Sequence, residues 1–559
     1  MRRTTSFFYA AILVVSVVGV GLSATYDVVI TSGQIYDGSG EPSYVADVGI
    51  KDDRIEAIGK LEPDADLVID ARGLAVAPGF INMLSWATES LIEDGRSQSD
   101  IRQGVTLEVM GEGSSMGPLN EAMKRDMVQS QGDIKFSVQW TTLGEYLEYL
   151  VKRGVSTNVA SFVGATTVRV YAVGYEDRKP ASKELDLMRK LVAQAMQEGA
   201  MGVSSALIYA PGVYADTDEL IALAEAAGKY GGMYVSHLHS EGNDLLAALD
   251  ELIATARKTN VAAEVYHIKA AGQSNWHKLD AMIERIKQAR AEGLRITADM
   301  YNYTAGATGL DAAMPPWVQV GGHRAWVTRL KDATVRQRVI TEMTTPTTEW
   351  ENLFLLAGTP DNVLLVEFKN EKLRPLTGKT LAEVAQMRGK SPAETAIELV
   401  IEDDSRVGTV YFLMSEENVK KQIKLPWVSF CSDAASLAPE GVFLKSNVHP
   451  RAYGNFARLL GKYVRQEKVI ALAEAVRRLT SLPAENLKLD RRGKLEKGYY
   501  ADIAIFNPQT IIDHATFEEP HQYATGMVHV FVNGVQVLKD GEHTGAKPGR
   551  VVRGPGWKK

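Results

Sequence analysis

Apolar and polar positions follow two textures along this chain. From Tyr26 to Pro78 short apolar runs are broken by turns, as in Asp27-Val28-Val29-Ile30, Val45-Ala46-Asp47-Val48-Gly49-Ile50 and Leu67-Val68-Ile69, which predicts strands. The same texture returns in Ala501-Asp502-Ile503-Ala504-Ile505-Phe506 and Met527-Val528-His529-Val530-Phe531-Val532. The two flanks therefore predict one small β-sandwich domain built from residues 25–78 and 486–559. Between them, apolar runs of strand length alternate with amphipathic helical stretches. The alternation predicts eight strands, at 79–83, 105–110, 159–163, 201–205, 233–237, 262–267, 295–299 and 427–431. Eight such units make an α/β fold of the (β/α)8 TIM-like barrel type, here over residues 79–310 and 425–485. Helical spacing of apolar positions over 245–256 and 279–289 supplies typical connecting helices. Residues 311–424 are too long for a loop and read as an inserted subdomain, a lid over one end of the barrel. Its own helix is predicted at 326–343 and its strands at 363–368 and 409–414.

The first residues stand apart. Arg2-Arg3 precede a weakly polar to apolar run from Phe7 to Leu22 and then the small pair Ser23-Ala24, the order of an export signal over residues 1–24. The expectation is an exported protein, periplasmic or secreted, with an uncleaved N-terminal anchor as the alternative.

Composition narrows the function classes. With 559 residues, 45% of them hydrophobic and 23% charged, the chain is globular and too long for one core. A formal charge of −7, with no Lys/Arg-rich run, offers no face for phosphate neutralisation and excludes nucleic acid as the expected partner. A single cysteine, Cys431, forbids an intrachain disulfide and a cysteine zinc cage; it falls in the 427–431 strand, where a buried position is expected.

Barrel chemistry projects from the C-terminal ends of strands. Following the predicted strands are Glu112, Ser205, His237, His267, Asp299-Met300-Tyr301 and Ser432-Asp433. Two imidazoles and several carboxylates converging from different strands form a metal-site constellation, because zinc accepts neutral imidazole and carboxylate. All ten histidines lie from His237 onward, so the first four strands contribute none. Glu112, between Gly111 and Gly113, is either a close-approaching ligand or a turn carboxylate. Asp433 is either a proton carrier or a helix cap.

The motifs Val76-Ala77-Pro78-Gly79-Phe80-Ile81, Tyr209-Ala210-Pro211-Gly212, Ser236-His237-Leu238, His267-Ile268-Lys269, Ser432-Asp433 and His449-Pro450-Arg451 carry a resemblance. From Tyr26 to its end the chain resembles the amidohydrolase superfamily and, within it, the D-aminoacylase (N-acyl-D-amino-acid deacylase) group. The resemblance implies a zinc-dependent hydrolase that cleaves an amide of an N-acyl-D-amino acid or of a D-residue-containing dipeptide by attack of metal-bound water. It implies His237 and His267 as imidazole ligands and Asp433 as the catalytic acid/base. Lys269, Arg451, Tyr209 and one of Tyr301 or Tyr303 are implied as the groups that hold the substrate carboxylate.

Two positions depart from the family pattern. Where the family has His-x-His after strand one, this chain has Leu84 and Trp86; where the D-aminoacylases place a cysteine ligand after strand two, it has Glu112. The expectation is a site of Glu112, His237 and His267 holding one zinc per chain. Two other readings stay open. One is a hydrolase of the same fold acting on a cyclic amide or imidazolone, served by His239 and Trp86. The other is a non-catalytic binding protein.

Overall fold

The fold is that of a computed structural model, which describes residues 25–558; the expected export signal at 1–24 lies outside them. All eight expected barrel strands form. They are β1 (Phe80–Ser85), β2 (Val105–Met110), β3 (Asn158–Ser161), β4 (Gly202–Ala206), β5 (Met233–His237), β6 (Ala263–Val265), β7 (Ile296–Met300) and β8 (Val428–Phe430). Each is buried along nearly its whole length, as parallel strands covered on both faces must be. Parallel pairing runs from β1 through β2 to β3, and from β4 through β5, β6 and β7 to β8. The short continuation Val163–Gly164 carries β3 onto β4. Closure between β8 and β1 rests on a bridge from Ser85 to Ala434 and on the Asp433 amide donating to Leu84 O at 2.9 Å.

The chain ends meet in one nine-stranded sheet. Its strand Tyr26–Ile35 pairs with Ala65–Asp70 along its first half and with Ala75–Pro78 near its end, so the sheet branches there. Side-chain alternation then sorts the faces. Ile503, Ile505 and Phe531 join Ile30, Ile50 and Val76 in a separate core, whereas Ala504, Phe506 and Val530 pack on the barrel. Residues 549–554 seal the barrel bottom, with Gly549 N donating to Val155 O and Gly554 N to Gly199 O, both at 2.8 Å.

The insertion carries a three-stranded sheet of Ala305–Gly309, Gly408–Phe412 and Val363–Glu367, so its sheet starts ahead of the expected boundary at 311. The single helix expected over 326–343 is two, His323–Leu330 and Ala333–Met343. The break falls at Asp332, whose carboxylate accepts from the amides of Thr334 and Val335 and so starts a new helix. Among the described residues no helix is long and apolar enough to cross a membrane.

The barrel interior includes a buried carboxyl, Glu264 on β6. It accepts from Thr297 Oγ1, and from Asn486 Nδ2 at 3.3 Å, while its Oε1 has no partner. Burial and the neighbouring Asp299 push it from 4.5 up to about 8. The folded state therefore keeps a proton that the unfolded chain releases, and this contribution to stability, full below about pH 4.5, is lost as pH rises toward about 8. Glu264→Gln is expected to melt above the wild type at about pH 8.5 and to match it near about pH 5. Melting curves that stay parallel across that range would place the proton elsewhere.

Candidate metal centre

The centre is set by the backbone of three strand exits. Glu112 follows β2 between two glycines with positive φ, Gly111 at 101° and Gly113 at 60°. A Cβ on Gly111 would lie 2.4 Å from Phe162 O, and one on Gly113 2.5 Å from Ala206 Cβ, so only glycine allows this turn. His267 and Asp433 also have left-handed backbones, with φ of 33° and 46°. Strained non-glycine residues of this kind concentrate where side-chain placement matters more than backbone comfort.

Glu112, His237 and His267 are buried, and one ligand atom from each lies within 4.8 Å of the others. Glu112 Oε1 is 3.1 Å from His237 Nδ1 and 2.9 Å from His267 Nε2. The two rings stand nearly perpendicular with centroids 4.5 Å apart. His237 Nε2 is buried with no hydrogen-bond partner. Two imidazoles and a carboxylate converging out of water, one with an orphaned nitrogen, fit a zinc ion with an open position.

Glu241 stands behind the imidazoles. Its Oε1 is 3.1 Å from His267 Nδ1 and 2.6 Å from Lys269 Nζ, and its Oε2 is 3.6 Å from His237 Nε2. Lys269 Nζ is also 2.6 Å from His267 Nδ1. Lys269 is thus engaged on the far side of His267, holding that ring in place. Burial alone would raise Glu241 and Glu112, but the imidazoles facing both, and Lys269 beside Glu241, hold the two carboxyls well below their usual range. Burial and Lys269 oppose charge on His267, yet Glu241 and Glu112 outweigh them and raise it to about 10. Asp433 behaves differently: burial raises it, against the pull of Arg451 and His267.

Asp433 Oδ2 lies 2.8 Å from Arg451 Nη1, and Asp433 Oδ1 accepts from Trp86 Nε1 at 3.1 Å. Arg451 is buried over the Tyr301 ring, 4.3 Å from its centroid. Its Nη1 is misaligned for a hydrogen bond to Asp433 despite the short distance, and its Nε has no acceptor. Tyr301 lies against His267, with ring centroids 6.3 Å apart. Tyr303 turns its hydroxyl away, to Asp513 Oδ2 at 3.4 Å, and packs on His449 instead. Tyr209 stands edge-on to His237 at 5.5 Å, with the Arg406 guanidinium from the insertion 5.1 Å from its ring.

Of the two residues linked with a cyclic-amide pocket, Trp86 is at the centre. His239 is not, because its Nδ1 pairs with Glu251 Oε2 at 2.6 Å on the adjoining helix. Cys431 is buried and donates to Asp299 Oδ1, which also accepts the His267 amide. Sequence reasoning left out Glu351, from the insertion, which accepts from Ser240 Oγ at 2.7 Å and from the Glu241 amide at 3.0 Å. No local pattern marks Glu351. Glu241, four residues after His237, carries a spacing signal that finds it.

Residues 67–538 match the model of the amidohydrolase family, and the chain belongs to that family. Within it the chain falls in the D-aminoacylase group. It is 31% identical over 535 residues to the D-aminoacylase of Alcaligenes xylosoxydans xylosoxydans, covering 95% of this chain and 98% of that one. Among solved structures it is similar to the N-acyl-D-glutamate deacylase of Bordetella bronchiseptica, complexed with zinc and a phosphonate mimic of the tetrahedral intermediate. That likeness has a TM-score of 0.78 and 29% identity, over 94% of this chain and 99% of the other. A D-aminoacylase described by one-metal activation and second-metal attenuation gives 0.78 and 29%, over 94% and 100%. The protein is accordingly a metal-dependent amidohydrolase of the D-aminoacylase type.

Proposed function

We propose that this enzyme uses one zinc ion, held by Glu112, His237 and His267, to hydrolyse the amide of N-acyl-D-amino acids or of dipeptides that carry a D-residue. One observation carries the substrate class: beside the candidate metal centre lies a buried guanidinium, Arg451, with two donors that lack a hydrogen-bond acceptor. A substrate carboxylate oxygen supplies the acceptor that Nε lacks, in a charge-assisted hydrogen bond. Such a carboxylate fixes the amide over the centre, and the relatives that bind zinc support the choice of ion.

Zinc, when bound, supplies Lewis acidity that polarises a carbonyl and makes water a stronger acid. The remaining work belongs to the side chains. Asp433, raised by burial from its ordinary value and adjacent to Arg451, takes a proton on a carboxylate oxygen and returns it to the leaving nitrogen. Glu241 and Lys269 keep His267 oriented. Tyr209, edge-on to His237, walls the side of the cleft.

A panel of N-acetyl-D- and N-acetyl-L-amino acids, D-residue dipeptides and hydantoins, given to the zinc-loaded protein, tests this reading. Carboxylate-bearing D-substrates are expected to lead their L-counterparts in kcat/KM by on the order of 100-fold, the discrimination that pocket shape alone provides. Turnover of the cyclic amides alone would overturn it.

A further inference from the structure

Trp86 sits where two carboxylates from opposite sides of the barrel closure come together. Its indole Nε1 donates at 3.1 Å to Glu112 Oε2 and at 3.1 Å to Asp433 Oδ1. The other oxygen of each carboxylate is already engaged, Glu112 Oε1 by both imidazoles and Asp433 Oδ2 by Arg451. The backbone beneath the ring is held. The Trp86 amide donates to Ala434 O at 3.0 Å, the Asp433 amide donates to Leu84 O, and Ser85 bridges Ala434. The same two backbone segments that carry Trp86 and Asp433 are thus bonded to each other on both sides of the contact, which fixes the distance between the two Cα atoms from which the indole and the carboxylate extend.

Two anionic groups so placed repel and turn apart unless something between them donates. A cation does this by adding charge; an N–H does it without. We propose that Trp86 is a positioning residue: its neutral N–H, shared between Glu112 and Asp433, fixes the carboxylate that would hold the metal relative to the one that carries the proton. The inference rests on the reading of this centre as a hydrolase site. It assigns Trp86 no chemistry of its own. Trp86 is 39% exposed, so its substitution removes a partly solvent-facing side chain rather than one enclosed in the core.

The test compares wild type, Trp86→Phe, which keeps an aromatic ring and loses the donor, and Trp86→Gln, which restores a neutral N–H without the ring. Zinc release to a chelator is followed without substrate, and kcat and KM are measured on the best substrate of the panel. Trp86→Phe is expected to release zinc faster and to lose about 10- to 100-fold in kcat, the weight of a hydrogen bond to charged groups, with KM within about twofold. Trp86→Gln is expected to recover part of both. Unchanged zinc release and kcat in Trp86→Phe, or a loss confined to KM, would overturn the inference and leave Trp86 as a wall of the cleft. So would a Gln variant no better than Phe. A wild type that binds zinc and turns over, beside an unaffected Phe variant, separates this failure from failure of the hydrolase reading, in which the wild type itself binds no zinc.

Discussion

Asp433→Asn is expected to lower kcat by about 10²- to 10⁴-fold, the usual weight of a positioned general acid/base. The substitution is nearly isosteric. An amide oxygen can still accept from Trp86 Nε1, and the left-handed backbone at φ 46° tolerates asparagine well. What disappears is the group that takes and returns a proton, together with the ion pair to Arg451. The metal-binding atoms of Glu112, His237 and His267 do not include Asp433, so zinc content should hold. Steady-state kinetics with elemental analysis on the same preparation separates the two effects. A kcat within about tenfold of wild type would mean that another carboxyl carries the proton.

His267→Ala is expected to weaken zinc binding by more than about 100-fold, since loss of a second-shell partner alone costs up to that much. The reason is the density of contacts on this ring. Its Nε2 faces Glu112, and its Nδ1 faces both Glu241 and Lys269. Removing it leaves Glu112 and Glu241 buried with one charge partner fewer, a situation that costs roughly 3 kcal/mol or more in stability. The metal-free variant should therefore unfold more readily as well as lose activity. His239→Ala is the matched control: that ring pairs with Glu251 on a helix, and its loss should leave zinc affinity unchanged. Chelator competition on the two variants reads both expectations, and equal affinities would contradict them.

The barrel was readable in the sequence because each strand is a short apolar run bounded by turns, and its chemistry follows at a fixed place, the strand end. His237, His267, Glu112 and Asp433 all came from that rule. The insertion was harder. Asp332 divides a run of helical spacing that periodicity alone extends unbroken, and the strand Ala305–Gly309 finds its partner about a hundred positions later, at Gly408–Phe412. The support around the centre was harder still. Glu351 reaches the strand-five loop from the insertion, and Trp86 meets Asp433 only when the last strand closes on the first. Such contacts join residues 110 and 347 positions apart and leave no local pattern. The split of roles in the expected carboxylate-binding set is of the same kind. Whether Lys269 faces a substrate or Glu241, and whether Tyr303 turns to the cleft or to Asp513, is decided by packing rather than by spacing.

The most direct test of the whole account is the metal count of the wild-type chain. The purified protein is saturated with zinc, freed of excess by gel filtration and measured by elemental analysis. About one zinc per chain, lost in both His237→Ala and His267→Ala, is the predicted result. No retained zinc, or an ion that survives both substitutions, would contradict a centre built from Glu112, His237 and His267.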